Sequence, residues 1–465
     1  MYLRSGVSIG WSGMGRFDMD SNRLYYSTGK KETGMDQERQ ALHARFVVAL
    51  QPHTCAYIRT LMSHRPRLAV GIVLWLTMGV PIAFSHDQAA ASSGANVHLR
   101  GHFQNARMRF EREKKGHVAF IGGSITEMKG YRPLVMDILR RRFPETEFTF
   151  TAAGISSTCS TTGAFRLHDD VLRKGPVDMF FIEFAVNDDQ DARHLRRECI
   201  RGMEGIVRHT RLHNPCSDIV ITYFVNPEML EIWQAGKVPL SVDAHREVAE
   251  YYQVPTINLA KEVADRITAG TLTWEQFGGT HPKPEGNAIC AAMIDRLMWK
   301  VWAQPLPGDA GPIVHRMPAN ALDKNSYYRG RLIAPDEAEI ISAMRVKVPD
   351  WPSLKGTCRS RFVRDRLLCA DTPGAEMTLD FDGTAIGAYV LAGPDAGIVE
   401  ASVDGGPYTP FDLFHRFSTG LHYPRAVVFD ADLEAGEHTL ALRISANKNE
   451  RSTGHAMRVL HFAAN

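Results

Sequence analysis

Four short stretches of this chain carry groups that together could hydrolyse an ester. Ser124 follows Gly122-Gly123 at the end of the apolar run Val118-Ala-Phe-Ile-Gly122. Gly154 closes a second run, Asn187 stands in Val186-Asn187-Asp188, and His281 stands in Thr280-His281-Pro282. Ester hydrolysis needs a nucleophile, a base to take its proton, and donors for the oxyanion that grows on the carbonyl. Ser124 can be the nucleophile and His281 the base. The backbone N–H groups of Ser124 and Gly154 and the Asn187 amide can be the donors, each typically contributing about 2.7–4 kcal/mol. Each residue also has a blander use. Serine caps helices, Gly154 or Asn187-Asp188-Asp189 can simply make turns, and a histidine before proline is an ordinary loop residue.

Their positions raise the case above those uses, because each lies where a strand should end. Val118–Gly122 suits a strand buried on both faces, as in a parallel sheet. Further strands are predicted at 147–151, 177–184, 218–225 and 254–259. Helical spacing joins Leu134, Val135, Ile138 and Leu139, then Ile200, Met203, Ile206 and Val207, and finally Ile289, Met293, Ile294 and Leu297. Alternating strands and helices over residues 100–304 predict a layered α/β domain. Open sheets of this kind bind ligands at the carboxyl ends of their strands.

Gly-Gly-Ser-Ile-Thr at 122–126, the strand-end Gly154, Val186-Asn187-Asp188 and Thr280-His281-Pro282 occur in an order that resembles the SGNH (GDSL-type) hydrolases. The resemblance implies a three-layer α/β/α flavodoxin-like domain that hydrolyses esters, commonly acetyl or other short acyl groups on sugars. It implies Ser124 as nucleophile, His281 as general base, and Ser124, Gly154 and Asn187 as the oxyanion hole. No metal and no organic cofactor are expected, and an acylated carbohydrate or other small ester is the expected partner. Two rivals are a lipase or thioesterase on the same scaffold, and an inactive hydrolase-fold carbohydrate-binding protein. The joint presence of all four residues argues against the second.

The chain departs from that family's pattern twice. Gly123 stands where the family usually has Asp before its serine, which leaves the chemistry intact. Gly278 stands where the family usually has the Asp that orients its histidine, and loss of such an acid can be costly. A backbone carbonyl could hold His281 in a Ser-His dyad, or another carboxylate could serve, with Glu275 and Glu183 as candidates. For Glu183 a structural role on a buried strand is the simpler reading.

Outside this domain the sequence changes texture. Residues 1–61 show no sustained period and read as disordered or as a start codon set too early. Residues 62–86 have the layout of a signal sequence: Met62-Ser-His-Arg-Pro-Arg, then an apolar run from Leu68 to Phe84. That run is about 17 residues with Pro81 inside it, short against the roughly 20 of a membrane span. Export with cleavage, and no stable membrane insertion afterwards, is expected; an anchor at 68–84 is the alternative. Residues 305–317 form a Pro/Gly-rich linker. Residues 318–465 carry short alternating strands, with Asp404-Gly405-Gly406 as a hairpin turn, and predict an all-β sandwich of jelly-roll type. It is similar to accessory domains of extracellular carbohydrate esterases. Tyr389, Tyr408, Phe411, Phe414, His415, Phe417, His422 and Tyr423 could stack on sugar, or the 411–423 cluster could pack against the hydrolase domain.

Across 465 residues, 44% hydrophobic and 23% charged content fits two globular domains, and a net charge of +2 gives no case for nucleic acid. Seven cysteines without CxxC pairs give zinc little support, and Cys358 and Cys369 could be bridged.

Overall fold

The computed structural model describes residues 94–465. The segments 1–61 and 62–86 lie outside them. Among the described residues no helix is long and apolar enough to cross a membrane.

Five strands form a parallel sheet: β2 (Lys115–Gly122), β3 (Glu147–Gly154), β4 (Met179–Glu183), β5 (Asp218–Thr222) and β6 (Thr256–Ile257). A short leading strand, β1 (Val97–His98), pairs antiparallel with β6 at the edge. The spatial order is β1-β6-β5-β4-β2-β3. The chain thus starts its parallel strands at β2, adds β3 on one side, then crosses to lay β4, β5 and β6 on the other. That reversal is the flavodoxin-like switch point, and the cleft above it is where such sheets take ligands. Ser124 follows β2 and Asn187 follows β4, the two strands that flank the switch.

Helices cover the sheet on both faces, as buried parallel strands require. They are α1 (Asn105–Met108), α2 (Ser124–Glu127), α3 (Tyr131–Arg142), α4 (Ser160–Asp170), α5 (Arg196–His213), α6 (Pro227–Gln234), α7 (Leu240–Tyr251), α8 (Leu259–Thr268), α9 (Trp274–Phe277) and α10 (Pro284–Val301). Val118, Ala119, Phe120 and Ile121 are fully buried, and Phe120 stacks on Phe181 with ring centroids 5.0 Å apart. Sequence periodicity misses α4 for a physical reason. Ser160 through Leu167 are all buried, yet Ser160, Thr161, Thr162, Gly163 and Arg166 among them are not apolar, so the buried face does not read as an apolar stripe.

The second half is built from antiparallel sheets, as the strand-and-turn texture predicts. One sheet has the order β15-β12-β17-β10-β9, from Tyr423–Asp430, Ile386–Ala392, Met457–Ala464, Leu367–Ala370 and Arg345–Lys347, with β7 (Arg331–Ile333) also on β17. The other is β14-β13-β16-β11-β8, from Thr409–Asp412, Ile398–Val403, Gly436–Ile444, Glu376–Gly383 and Glu339–Ser342. Leu440, Leu442 and Ile444 on β16 are buried while Ala441 and Arg443 between them are partly exposed, so alternation reads correctly there. Cys358 and Cys369, whose spacing would allow a bridge, are free thiols in the structure. The loop between them is fastened to the α/β domain by Arg359 and Arg361 instead of being closed on itself.

The two halves share buried surface. Ile155 of the α/β domain packs with Phe362, Leu367, Tyr389, Leu391 and Leu460. Arg201 joins Asp323 at 2.9 Å and Asp432 at 2.6 Å. The run 305–328 is mostly exposed as far as 320 but is pinned at two points: His315 bonds Asp218 at 2.8 Å, and Tyr327 is fully buried in the α/β core.

Candidate active site

Ser124 is the first residue of α2, directly after the turn that ends β2. Its N–H is in the first helical turn, where no intrahelical acceptor exists. Gly154 lies opposite Gly122 in the β2–β3 register. A Cβ there would fall 2.3 Å from the Glu127 backbone nitrogen, so only glycine lets β3 end this close to α2. Asn187 begins the helical turn after β4 and is buried. Its side chain lies against Gly123, where a Cβ would meet Asn187 Oδ1 at 2.0 Å. His281 reaches this group from the far end of the domain: its Nε2 is 2.7 Å from Ser124 Oγ. The structure therefore brings Ser124, Asn187, Gly154 and His281 to one end of the sheet.

The His281 loop is set by backbone geometry. α9 begins with a capping box, Thr273 with Gln276, and ends at Gly278 in the left-handed region with φ +105°. The Lys283 N–H donates to the Phe277 carbonyl at 2.9 Å, and Asn287 Nδ2 donates to the Pro282 carbonyl at 2.6 Å. Within the described residues His281 Nδ1 has no hydrogen bond to a carbonyl or carboxylate. Glu275 is exposed on α9 and meets no histidine. Glu183 is fully buried and accepts from Thr126 Oγ1 at 2.9 Å, away from His281.

Glu183 has a different consequence. Burial, with smaller contributions from Asp188 and Asp191, pushes its carboxyl up to about 8 against the bonds from Thr126 and Gly123. The group is thus neutral in the native protein at pH 7 but ionises near pH 4.5 when the chain unfolds. Its contribution to stability is complete below about pH 4.5 and is lost as pH rises to about 8. Glu183→Gln should match the parent in Tm near the acid end of that window. It should then exceed it by a margin that grows to about pH 8 and stays constant above. Thermal unfolding followed against pH measures this, and parallel curves would contradict it.

Several positioning residues carry no motif. Asp191, one helical turn beyond Asn187, accepts from Asn187 Nδ2 at 2.6 Å. Burial raises its carboxyl, while Asn187, Arg416 and His281 pull the other way, so it feels the His281 imidazole. The spacing of Asn187 and Asp191 was the one available signal for it. Arg166 is 1% exposed and grips the ends of two strands, donating to the carbonyls of Ala153 at 2.8 Å and Gly122 at 3.1 Å. The β domain contributes too. Arg361 reaches Glu127 at 2.8 Å and the Gly154 carbonyl at 3.1 Å, and Arg359 reaches Ser157 Oγ at 2.8 Å. Of the aromatic cluster, His415 bonds the Asp191 carbonyl and Tyr423 the Ser157 carbonyl, so these two pack against the α/β domain.

Residues 120–289, which hold Ser124, Gly154, Asn187 and His281, match the GDSL-like lipase/acylhydrolase family. No curated protein sequence matches the chain. A solved two-domain esterase active on acetylated mannans superposes with a TM-score of 0.64 at 20% identity, covering 79% of this chain and 97% of its own. Co-crystallized with mannopentaose, it gives 0.63 at 20% identity, over 79% and 96%. An acetylxylan esterase from Geobacillus stearothermophilus is 19% identical, covers 39% of this chain and 94% of its own, and gives 0.31. With the mannan esterase the shared feature is the fold, in which an α/β domain and a β domain lie in one chain.

Proposed function

We propose that the protein, whose residues 120–289 match the GDSL-like lipase/acylhydrolase family, is a serine ester hydrolase that removes acetyl or other short acyl groups from carbohydrate. The observation that carries this reading is the 2.7 Å contact between Ser124 Oγ and His281 Nε2 at the switch point of the sheet. In the reaction His281 Nε2 takes the Ser124 proton as Oγ attacks the ester carbonyl carbon. The carbonyl oxygen becomes an oxyanion held by the Ser124 and Gly154 N–H groups and by Asn187 Nδ2. One Asn187 N–H is committed to Asp191, which aims the other at the oxyanion. As the tetrahedral species collapses, His281 returns the proton to the departing sugar oxygen and leaves acyl-Ser124. Water then attacks the acyl carbon, giving its proton to His281, and carboxylate leaves as Ser124 is restored.

The rim supports a polar substrate. Glu127, Arg361, Arg359, Ser156 and Ser157 surround the oxyanion strands, hydrogen-bonded to one another, where a lipase would need an apolar channel. The acetylated-mannan activity of the similarly built esterase makes acetylated mannan the first polysaccharide to try, beside acetylated xylan. Export through residues 62–86 belongs to the same reading, and amino-terminal sequencing of the native protein checks it. The functional test compares p-nitrophenyl esters of increasing acyl length with both polysaccharides. Acetyl release that falls off with chain length is expected; a preference for long acyl chains would favour a lipase.

Gly278 fits this mechanism as a dyad device. A Cβ at 278 would fall 2.2 Å from the Lys283 backbone nitrogen, in a left-handed conformation. Gly278→Asp should therefore not rebuild a triad. Backbone strain and the lost Lys283–Phe277 bond together cost about 2–4 kcal/mol, read as a lower Tm with lower kcat. A faster enzyme would contradict this account.

A further inference from the structure

Between the two domains lies a cavity of about 560 Å³ whose lining includes neither Ser124 nor His281. The α/β domain closes it with Ser157, Thr161 and the turn at 191–194, and the β domain with β14 and β15. Its volume is that of an ordinary small-molecule pocket, which holds about 300–1,000 Å³.

Arg425 on β15 is the one charged group of this lining without a partner. Among the described residues its guanidinium makes no hydrogen bond and no ion pair. Burial holds it below the usual arginine range, while Tyr423, Cys159 and Asp412 pull the other way without bonding it. The other charged side chains are committed. Arg193 joins Glu228 at 2.8 Å, and His194 faces Asp188 at 3.6 Å. Asp191 accepts from Asn187 Nδ2 at 2.6 Å, Glu198 from the Tyr327 hydroxyl at 2.8 Å, and Asp412 from Asn449 Nδ2 at 2.6 Å. Asp430 accepts from the Asp432 N–H at 3.0 Å. A second polar group is also free. Thr161 lines the same cavity, is 2% exposed, and its Oγ1 has no hydrogen-bond partner. Aromatic rings complete the walls: Phe411 meets Phe429 edge-on at 5.1 Å, and Tyr423 stacks on His415 at 4.1 Å.

We propose that this cavity binds a carboxylate-bearing sugar, a hexuronic acid unit, with its carboxylate on Arg425 and a hydroxyl on Thr161. An arginine kept from water without an acceptor is costly, and its planar fork matches the two oxygens of a carboxylate. The four carboxylates of the lining limit the charge: one negative charge is accommodated beside the guanidinium, and a dianion such as a phosphate monoester is repelled. Asp412 and Asp430 keep lone pairs for sugar hydroxyls, and the aromatic walls suit the C–H face of a pyranose ring. The choice of a sugar rests on the carbohydrate reading above, and the choice of a carboxylate on Arg425. An acylated glycan that carries uronic acid units would thus be held at a second point, apart from its ester.

The test uses the full chain and saturation-transfer NMR titrations with D-glucuronate, beside D-glucose, D-glucuronamide and acetate. Glucuronate should bind at least about tenfold more tightly than glucose or the amide, and added salt should weaken it. Arg425→Gln should abolish that difference, Arg425→Lys should restore part of it, and Thr161→Val should weaken glucuronate binding several-fold. Should Arg425→Gln fail to fold, the parent protein decides through glucuronate and its amide, which share one shape and differ in charge. No binding of glucuronate, equal binding of the amide, or unchanged binding in Arg425→Gln would overturn the proposal. Acetate binding as tightly as glucuronate would give Arg425 to free carboxylates and overturn the sugar. Ester hydrolysis enters none of these readouts, so a failed acid-sugar site and a failed esterase are told apart.

Discussion

Ser124→Ala should lower kcat on p-nitrophenyl acetate by at least about 10⁴-fold, and His281→Ala by nearly as much. The double variant should be no worse than either single one. The reason is that the two residues perform one act, transfer of the Ser124 proton to His281 Nε2 across 2.7 Å. Removing the acceptor leaves an unactivated hydroxyl, and removing the hydroxyl leaves a base with nothing to activate. What survives is stabilisation by the oxyanion donors. Additive losses in the double variant would mean that the two act in separate steps. A Ser124→Ala enzyme that keeps most of its rate would place the nucleophile elsewhere.

The next largest effect is expected at Asn187. Asn187→Ala should lower kcat by about 10²–10³-fold and leave KM nearly unchanged, because the lost donor acts on charge that appears only in the transition state. The same change strands the Asp191 carboxylate that Asn187 Nδ2 holds at 2.6 Å. An unpaired buried acceptor costs about 1–3 kcal/mol, so Tm should fall as well. A rise in KM at constant kcat would instead make Asn187 a ground-state contact and remove it from the oxyanion hole.

The parts of this site that are legible in the sequence share a property: they sit at strand ends whose apolar runs announce themselves. Val118–Gly122, the Glu147 strand and the Met179 strand each point to a candidate site residue at their close: Ser124, Gly154 and Asn187. Gly278 is legible only as a missing acid. In the structure both departures from the GDSL pattern, Gly123 and Gly278, are places where a side chain has no room, against Asn187 and against the Lys283 backbone. What the sequence cannot show is contact between distant segments. Arg166, on a helix whose buried face is largely polar in residue type, pins the ends of β2 and β3 from a position that no apolar spacing marks. Arg361 reaches the Gly154 carbonyl from the other domain. The aromatic 411–423 stretch is ambiguous in the sequence, because packing and sugar stacking demand the same residues.

The central claim is that Ser124 is the nucleophile of a dyad whose histidine makes no hydrogen bond or ion pair to a carboxylate among the described residues. The most direct measurement is mass spectrometry of the full chain after inactivation with diethyl p-nitrophenyl phosphate, with peptide mapping of the adduct. The expected result is one diethylphosphoryl group, on Ser124, formed in step with loss of activity. Modification should be slowed strongly in His281→Ala and little affected in Glu275→Gln. An adduct on another residue, or full activity retained after Ser124 is modified, would contradict it.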